Sequence, residues 1–276
     1  MNYKHMLIIA RKDISSVIRN KAASVSMIIL PLIFAIVMPV AMIMAIQSSP
    51  EAANALTGDA DMQSFLMNLP TSTQVAMSNM DENQSAIYLI LGMMMAPMFL
   101  IFPLMYASII AAESFAGEFE RKTLEALLYT PTSDEDLFFG KVMAAFVPAV
   151  IITWGSFLIY TVILNWLGYP IFHEIWFPID SWWPLIFWVS TAISLMSVAV
   201  TVLISAKVKN FMGTYQLSGS LVLIVVGLFV GQMAGVIYLS VGFGLIVGLI
   251  CWIIAAVILT IAVKSFHRQK LLLDVL

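Results

Sequence analysis

Six runs of more than twenty uncharged, mostly apolar residues constrain this chain more than any other feature: 24–46, 87–111, 142–165, 183–205, 213–235 and 241–263. Stretches of that length read as membrane-spanning helices, because a helix satisfies its own backbone hydrogen bonds inside lipid. The 213–235 run would extend about 34 Å at ~1.5 Å per residue, enough to cross a ~30 Å hydrocarbon layer with some tilt. Composition agrees: 61% of residues are hydrophobic, 11% are charged, and mean hydropathy is +0.98. The reading is an all-α integral membrane protein, residues 1–276 forming one transmembrane domain of six helices.

Charge placement orients it. Lys4, Arg11, Lys12, Arg19 and Lys21 precede the first run, and Arg121, Lys122 and Lys141 lie between the second and third. Lys207 and Lys209 lie between the fourth and fifth, and Lys264, Arg268 and Lys270 follow the sixth. These are all thirteen basic residues, and the alternating connections 47–86, 166–182 and 236–240 hold none. The positive-inside rule puts both termini and residues 113–141 in the cytoplasm. The net charge of −3 says little about partners, since outer-side Glu51, Asp59, Asp61, Asp81 and Glu82 contribute to it. No nucleic-acid partner is expected. The first apolar run is too long for a signal-peptide core and no cleavage site follows, so no cleaved signal is expected. Cys251 lies alone in mid-span and can build neither a disulfide nor a metal site. The outer-side sequon Asn83-Gln84-Ser85 reads as chance.

Residues 3–21 read as an amphipathic helix lying in the membrane interface. Met6, Ile9, Ile14, Val17 and Ile18 would share its apolar side, with Lys4, Arg11, Lys12, Arg19 and Lys21 reaching anionic headgroups. A basic patch that only sets topology is the alternative. The outer loop 47–86 has room for one or two short helices. The outer connection after the third run carries Trp166, Tyr169, Phe172, Trp176, Phe177, Trp182 and Trp183, which an aromatic belt at headgroup level explains; a substrate-stacking surface is the sharper alternative. Gly227, Gly231 and Gly235 in the fifth run, then Ser240, Gly244 and Gly248 at the sixth, form small-residue rows suited to close helix packing. Packing of these two spans on each other is one reading; a subunit interface or an outer gate is the other. Pro31, Pro39, Pro97, Pro103 and Pro148 are positioned to bend their spans.

No Asp, Glu, Lys, Arg or His falls inside any of the six runs. An ionisable group at the bilayer centre costs at least ~2.5–3.5 kcal/mol and is kept there for proton relays, ion sites or catalysis. The pattern therefore counts against a proton-coupled carrier and against most intramembrane hydrolases and transferases, although sodium held by carbonyls and hydroxyls stays open. His5, His173 and His267 sit at edges on different sides and share no site. Gly140-Lys141 is a poor match to a phosphate loop, with Val142 in place of the hydroxyl and Glu135 in place of the leading glycine. If transport here needs chemical energy, another polypeptide must supply it, and no cofactor is expected on this chain.

Polar chemistry gathers instead in residues 113–141, which hold seven of the sixteen carboxylates and three of the thirteen basic residues. Glu118 and Lys122 are spaced for an i,i+4 ion pair, as are Arg121 and Glu125, and Phe115, Phe119, Leu124, Leu127 and Leu128 give one apolar side. Pro131 ends this helix at Thr130. Ser133, followed by Asp134, Glu135 and Asp136, starts another that runs through Lys141 into the third span. Periodicity alone leaves two readings, a protruding turn that docks into a partner's groove and a merely solvated loop.

The stretch Glu118-Phe119-Glu120-Arg121-Lys122-Thr123-Leu124-Glu125-Ala126-Leu127-Leu128-Tyr129-Thr130-Pro131, with Leu137 and Gly140-Lys141 after it, resembles the signature of type-2 ABC exporter permeases. The N-terminal basic helix, Pro31 in the first span and the six-span layout fit the same family. One departure is Lys122, where a glycine is frequent before the motif threonine. The resemblance implies a plasma-membrane permease in a prokaryotic-type cell, a dimer of identical or different permease chains, and a separate cytoplasmic ATPase subunit that binds the ATP. Glu118, Glu120, Arg121, Thr123, Leu124, Glu125, Leu128 and Pro131 would then be the ATPase-coupling positions, within a cytoplasmic coupling helix between spans two and three. It also implies re-entrant helices between the fifth and sixth spans, for which the 227–248 stretch leaves room. An ATP-independent secondary carrier or channel is the alternative. A Met-rich uncharged pathway suits lipids, amphiphilic drugs or peptides, but methionine serves equally as adaptable core filler.

Overall fold

Helices supply every regular element in the described part of the computed structural model, which comprises residues 3–19, 21–48, 65–121, 123 and 133–265. An N-terminal helix, α1, covers Tyr3–Arg19. Six helical stretches long and apolar enough to cross a membrane follow: Met27–Ser48, Glu82–Glu120, Glu135–Phe172, Pro184–Ser205, Phe211–Met233 and Val241–Val263. They are the first to sixth spans below. The chain is thus a multi-pass helical membrane protein, with the six spans where hydropathy puts them.

The second and third spans are far longer than their apolar runs. At 39 and 38 residues they extend about 57 Å at ~1.5 Å per residue, well beyond a ~30 Å hydrocarbon core. Polar residues continue these helices, several of them paired within the protein: Gln84 donates to the Ile171 carbonyl at 2.8 Å and Lys141 to Glu118 at 2.5 Å. The second and fourth spans form the centre of the bundle, with 83% and 72% of an apolar 18-residue stretch of each buried, against 17% in the first, fifth and sixth. Small residues let the fourth span sit so deep: Ser190, Ser194, Ser197, Thr201 and Ser205 are all buried along it. The Ser197 hydroxyl shares a 2.7 Å hydrogen bond with Ser108 of the second span and donates to the Leu104 carbonyl at 3.0 Å.

Prolines distort the spans, and side chains take up the carbonyls this presents. The first span passes from Pro31 into a π-helical stretch, Leu32–Val37, and the second contains another, Tyr88–Met94, ahead of Pro97. Pro97 offers no N–H to the Met93 carbonyl four residues earlier. That carbonyl accepts from the Gln232 amide of the fifth span at 3.0 Å. Beside it, Leu91 accepts from the Tyr160 hydroxyl at 2.7 Å and Gly92 from the Trp182 indole at 2.6 Å. Irregular backbone at this depth is tolerated because the protein, not lipid, surrounds it.

Two expectations need correction. The aromatic residues after the third span are only partly a belt: Trp166, Tyr169 and Trp183 are exposed, but Trp182 and Phe177 are core residues. Trp182 packs on Phe99, Phe157, Tyr160 and Phe177 with ring centroids 4.9–5.7 Å apart. Its indole is drawn inward by the Gly92 carbonyl, which no headgroup position could offer. The glycine rows, in turn, do not face each other. The sixth span packs on the fourth, and the fifth on the second. Gly244 lies against Pro184, and Gly248 against the Trp188 ring. Gly235, at φ 70, closes the fifth span, with the Val236 amide bonded to the Gly231 carbonyl at 2.9 Å and Ile237 folded over Gly231. Only a seven-residue turn, 234–240, joins these spans, with no helix in it. Within residues 47–86, Thr71–Ser78 is helical, and Phe65 and Leu69 pack onto Leu89, Ile90, Met93 and Met94.

A side chain at Gly248 would overlap the Trp188 ring, whereas one at Gly227 would meet nothing within 4 Å. Gly248→Val should therefore destabilise the detergent-solubilised protein by about 1–3 kcal/mol in thermal unfolding, as overpacking does. Gly227→Val should stay within about 0.5 kcal/mol of the parent. Equal effects at the two positions would contradict the packing of the sixth span on the fourth.

Candidate functional site

At the end of the bundle where the second span leaves and the third begins, six charged side chains converge from three helices. α1 contributes first. Ile9, Asp13 and Val17 recur every four residues and are all buried, so the helix turns one narrow face into the protein. This corrects the expected apolar side: Ile18 is 67% exposed and points outward, and an aspartate occupies the middle of the buried row. The second span brings Glu113, Ser114, Gly117, Glu118 and Arg121, and the third brings Lys141.

Lys141 is the centre. Its side chain is wholly buried, and its ammonium donates to the Ser114 carbonyl and to Glu118 Oε2, each at 2.5 Å, with Asp13 Oδ2 3.6 Å away. It also sits 5.4 Å from the centre of the Phe115 ring, a cation–π distance. Lys12 of α1 pairs with the other oxygen of Glu118, and Ser114 donates to Asp13. Glu118, spaced for a pair with Lys122, is thus occupied by lysines from α1 and the third span. Arg121, spaced for Glu125, reaches back to Glu113 at 2.7 Å, and Ser16 of α1 donates to the same Glu113 oxygen at 3.4 Å. Gly117 lies beneath that pair, where a Cβ would come within 3.1 Å of Arg121 Nη2 and 3.2 Å of Glu113 Oε2. Burial desolvates Lys141, Asp13, Glu113 and Glu118 at a cost of several kcal/mol each, so the cluster stands only because its three acids and three bases are mutually paired.

Glu120 turns to a different element. Its carboxylate accepts from the Phe211 amide, the first of the fifth span, at 2.8 Å, while Asn210 accepts from Gly213 N–H at 2.7 Å. Two acceptors at a helix N-terminus satisfy amides that have no partner within the helix and favour its dipole. The helix of the second span ends at Glu120, and the break expected at Thr130 from Pro131 lies outside the described residues. Its last turn closes when the Thr123 amide donates to the Glu118 carbonyl at 3.1 Å. In that closure the residue before the donor is commonly glycine; position 122 is lysine here, outside the described residues. Leu124, Glu125, Leu128 and Pro131 also lie outside them. On the return side, Ser133 accepts from the Asp136 amide at 3.1 Å and starts the helix that runs through Lys141, as its cap sequence predicts.

The motif's first charged residues therefore reach three other elements and their own: Glu118 the third span and α1, Glu120 the fifth span, Arg121 its own helix. Sequence reasoning missed Asp13, Ser16, Glu113, Ser114 and Gly117 as participants. One signal was available, an aspartate at the midpoint of the four-residue row Ile9–Asp13–Val17. Among the described residues no group of three or more His, Cys, Asp or Glu is placed to hold a metal ion. The arrangement fastens the two roots of a short connection to the rest of the bundle.

Fold and site together define a class: a six-span helical membrane protein whose charge is gathered where the second and third spans emerge. Over residues 7–272 the chain matches the family described as ABC-2 family transporter protein, and it belongs to that family. It is accordingly a membrane component of a transporter and not itself a catalyst. No curated protein and no solved structure matches it.

Removing Lys141 would leave buried carboxylates short of a partner. Lys141→Met should cost about 3–5 kcal/mol, seen as a lower unfolding temperature and reduced abundance in the membrane. Lys12 is half exposed, and Lys12→Gln should cost no more than about 1 kcal/mol by the same measurements. A fully stable Lys141→Met variant would contradict the central place given to this lysine.

Proposed function

We propose that this chain is the permease subunit of an ATP-driven exporter in the plasma membrane. It forms the translocation pathway, and a separate ATPase subunit supplies the energy. Both termini and the 113–141 segment face the cytoplasm, in keeping with the distribution of all thirteen basic residues. The segment seats on the ATPase, with Glu118, Glu120, Arg121, Thr123, Leu124, Glu125, Leu128 and Pro131 as its coupling positions. A second permease chain completes the assembly, and the first, fifth and sixth spans leave ample apolar surface for it and for lipid.

The observation that carries this reading is the wiring of the motif. Glu118 is buried, so its part in coupling is to hold the third span and α1, not to touch a partner. Glu120 likewise acts on the fifth span through Phe211. The segment beyond Thr123 is left to make the contact. A displacement of that segment reaches α1 and the second, third and fifth spans through bonds of 2.5–2.8 Å or through Lys12, with no other element needed.

Capture is the test. Tagged chain extracted from its native membrane should bring down a soluble ATPase subunit, and the purified complex should hydrolyse ATP. Glu125→Lys should weaken that capture about tenfold, whereas Glu120→Lys should leave capture intact and separate hydrolysis from transport. Gradient-driven flux through liposomes holding this chain alone, with no ATPase captured, would instead establish an ATP-independent carrier.

A further inference from the structure

We propose that the groove between the first and third spans binds one anionic phospholipid, with an acyl chain in the groove and the headgroup at Arg19. The inference needs only the six spans in a bilayer, so it stands or falls apart from the permease reading.

The groove follows from how the first span meets the third. α1 packs on the third span at the end where Lys141 sits, and residues 32–48 pack on it again further along. Residues 21–31, between those two contacts, scarcely touch it. The first span turns π-helical just after Pro31, beside the gap. On the facing wall Gly155 carries no side chain, and a Cβ there would meet nothing within 4 Å. The result is a groove of about 500 Å³ lined by Ile28, Leu32, Ile36, Ile152 and Ile159, with Ile18 at one end.

Size and lining select the occupant. The lining residues of the first span, Ser24 to Ile36, extend about 18 Å at ~1.5 Å per residue. That is roughly one leaflet of a ~30 Å hydrocarbon core. Spread over this length, 500 Å³ gives a cross-section of about 28 Å², or about 6 Å across. A helix with its side chains is ~10–12 Å wide and does not enter, whereas an extended hydrocarbon chain does. The wall offers such a chain nothing polar. Its two hydroxyls are spent on backbone, Ser24 donating to the Ile18 carbonyl and Ser156 to the Ile152 carbonyl, each at 2.7 Å.

Charge selects the headgroup. Arg19 ends α1 directly after Ile18 and is exposed. Lys12, Arg121 and Lys141 are each paired with carboxylates, but among the described residues no carboxylate meets Arg19. A guanidinium at the end of an acyl groove presents a fork of donors matched to a phosphate. A zwitterionic lipid brings the same phosphate with a cation beside it, so the unmatched arginine charge favours an anionic headgroup.

Native mass spectrometry of the full chain, purified in detergent and stripped of lipid, reads the site directly. Phosphatidylglycerol and phosphatidylcholine with identical chains are added at equal concentration. One phosphatidylglycerol per chain should be retained, about fivefold in preference to phosphatidylcholine. Gly155→Leu puts a side chain into the groove without a clash and should cut retention of both lipids by about tenfold. Arg19→Gln should bring phosphatidylglycerol down to the phosphatidylcholine level and leave phosphatidylcholine unchanged. Arg19 is exposed, so that variant reports even where Gly155→Leu fails to accumulate. Parental retention in Gly155→Leu, or equal retention of the two lipids by the parent, overturns the proposal. So does a disulfide between two copies carrying Leu32→Cys in a Cys251→Ser background, because a second copy would then cover the groove.

Discussion

The pairing of Lys141 with Glu118 and Asp13, out of reach of water, is the interaction around which one end of this protein is organised. A lysine ammonium without solvent must have carboxylates beside it, and the fold brings them from two other helices. Satisfying that one charge fixes the position of α1 on the bundle, the approach of the third span to the second, and the point where the connection between them emerges. Gly117 and the Glu113–Arg121 pair complete the arrangement, the missing side chain at Gly117 leaving room for that pair.

The opposite half of the bundle solves a different problem by neutral means. There the distorted turn ahead of Pro97 presents carbonyls that lipid cannot satisfy, and Tyr160, Trp182 and Gln232 each donate to one of them. Those three donors come from three different stretches of chain, so the second span is tied to the third, to the head of the fourth and to the fifth. Together with the ionic cluster this makes the second span the axis of the molecule, which is why it is the most buried of the six. The spans that carry little burial stand outside this axis and turn their apolar sides outward.

Much of this was legible in the residues. Six apolar runs give six spans because a long uncharged stretch has no other stable structure in a bilayer. The Ser133 cap is legible because a hydroxyl ahead of three acids offers the acceptor and the negative charge a helix start requires. The family motif was legible as a string, and the family match bears it out over nearly the whole chain. What could not be read was direction. Periodicity puts Glu118 and Lys122 within reach of each other, but not that a lysine nineteen positions further on takes the same carboxylate. Hydropathy counts Trp182 among the aromatics of an outer belt, but not that one carbonyl of a proline-distorted helix draws it inward. The glycine rows failed for a related reason. Gly231 and Gly235 terminate a helix and Gly248 makes room for a tryptophan, and helical spacing alone cannot separate those uses from helix-to-helix contact.

On the function proposed above, the connection between the second and third spans is the place where an ATPase acts on this bundle. A structure of the assembled complex by electron cryo-microscopy tests it most directly. The ATPase should be seated on residues 123–133, with Lys141, Glu118 and Asp13 still together beneath it and Glu120 still at the start of the fifth span. An ATPase bound elsewhere on the chain, or a complex in which the Lys141 cluster has come apart, would contradict it.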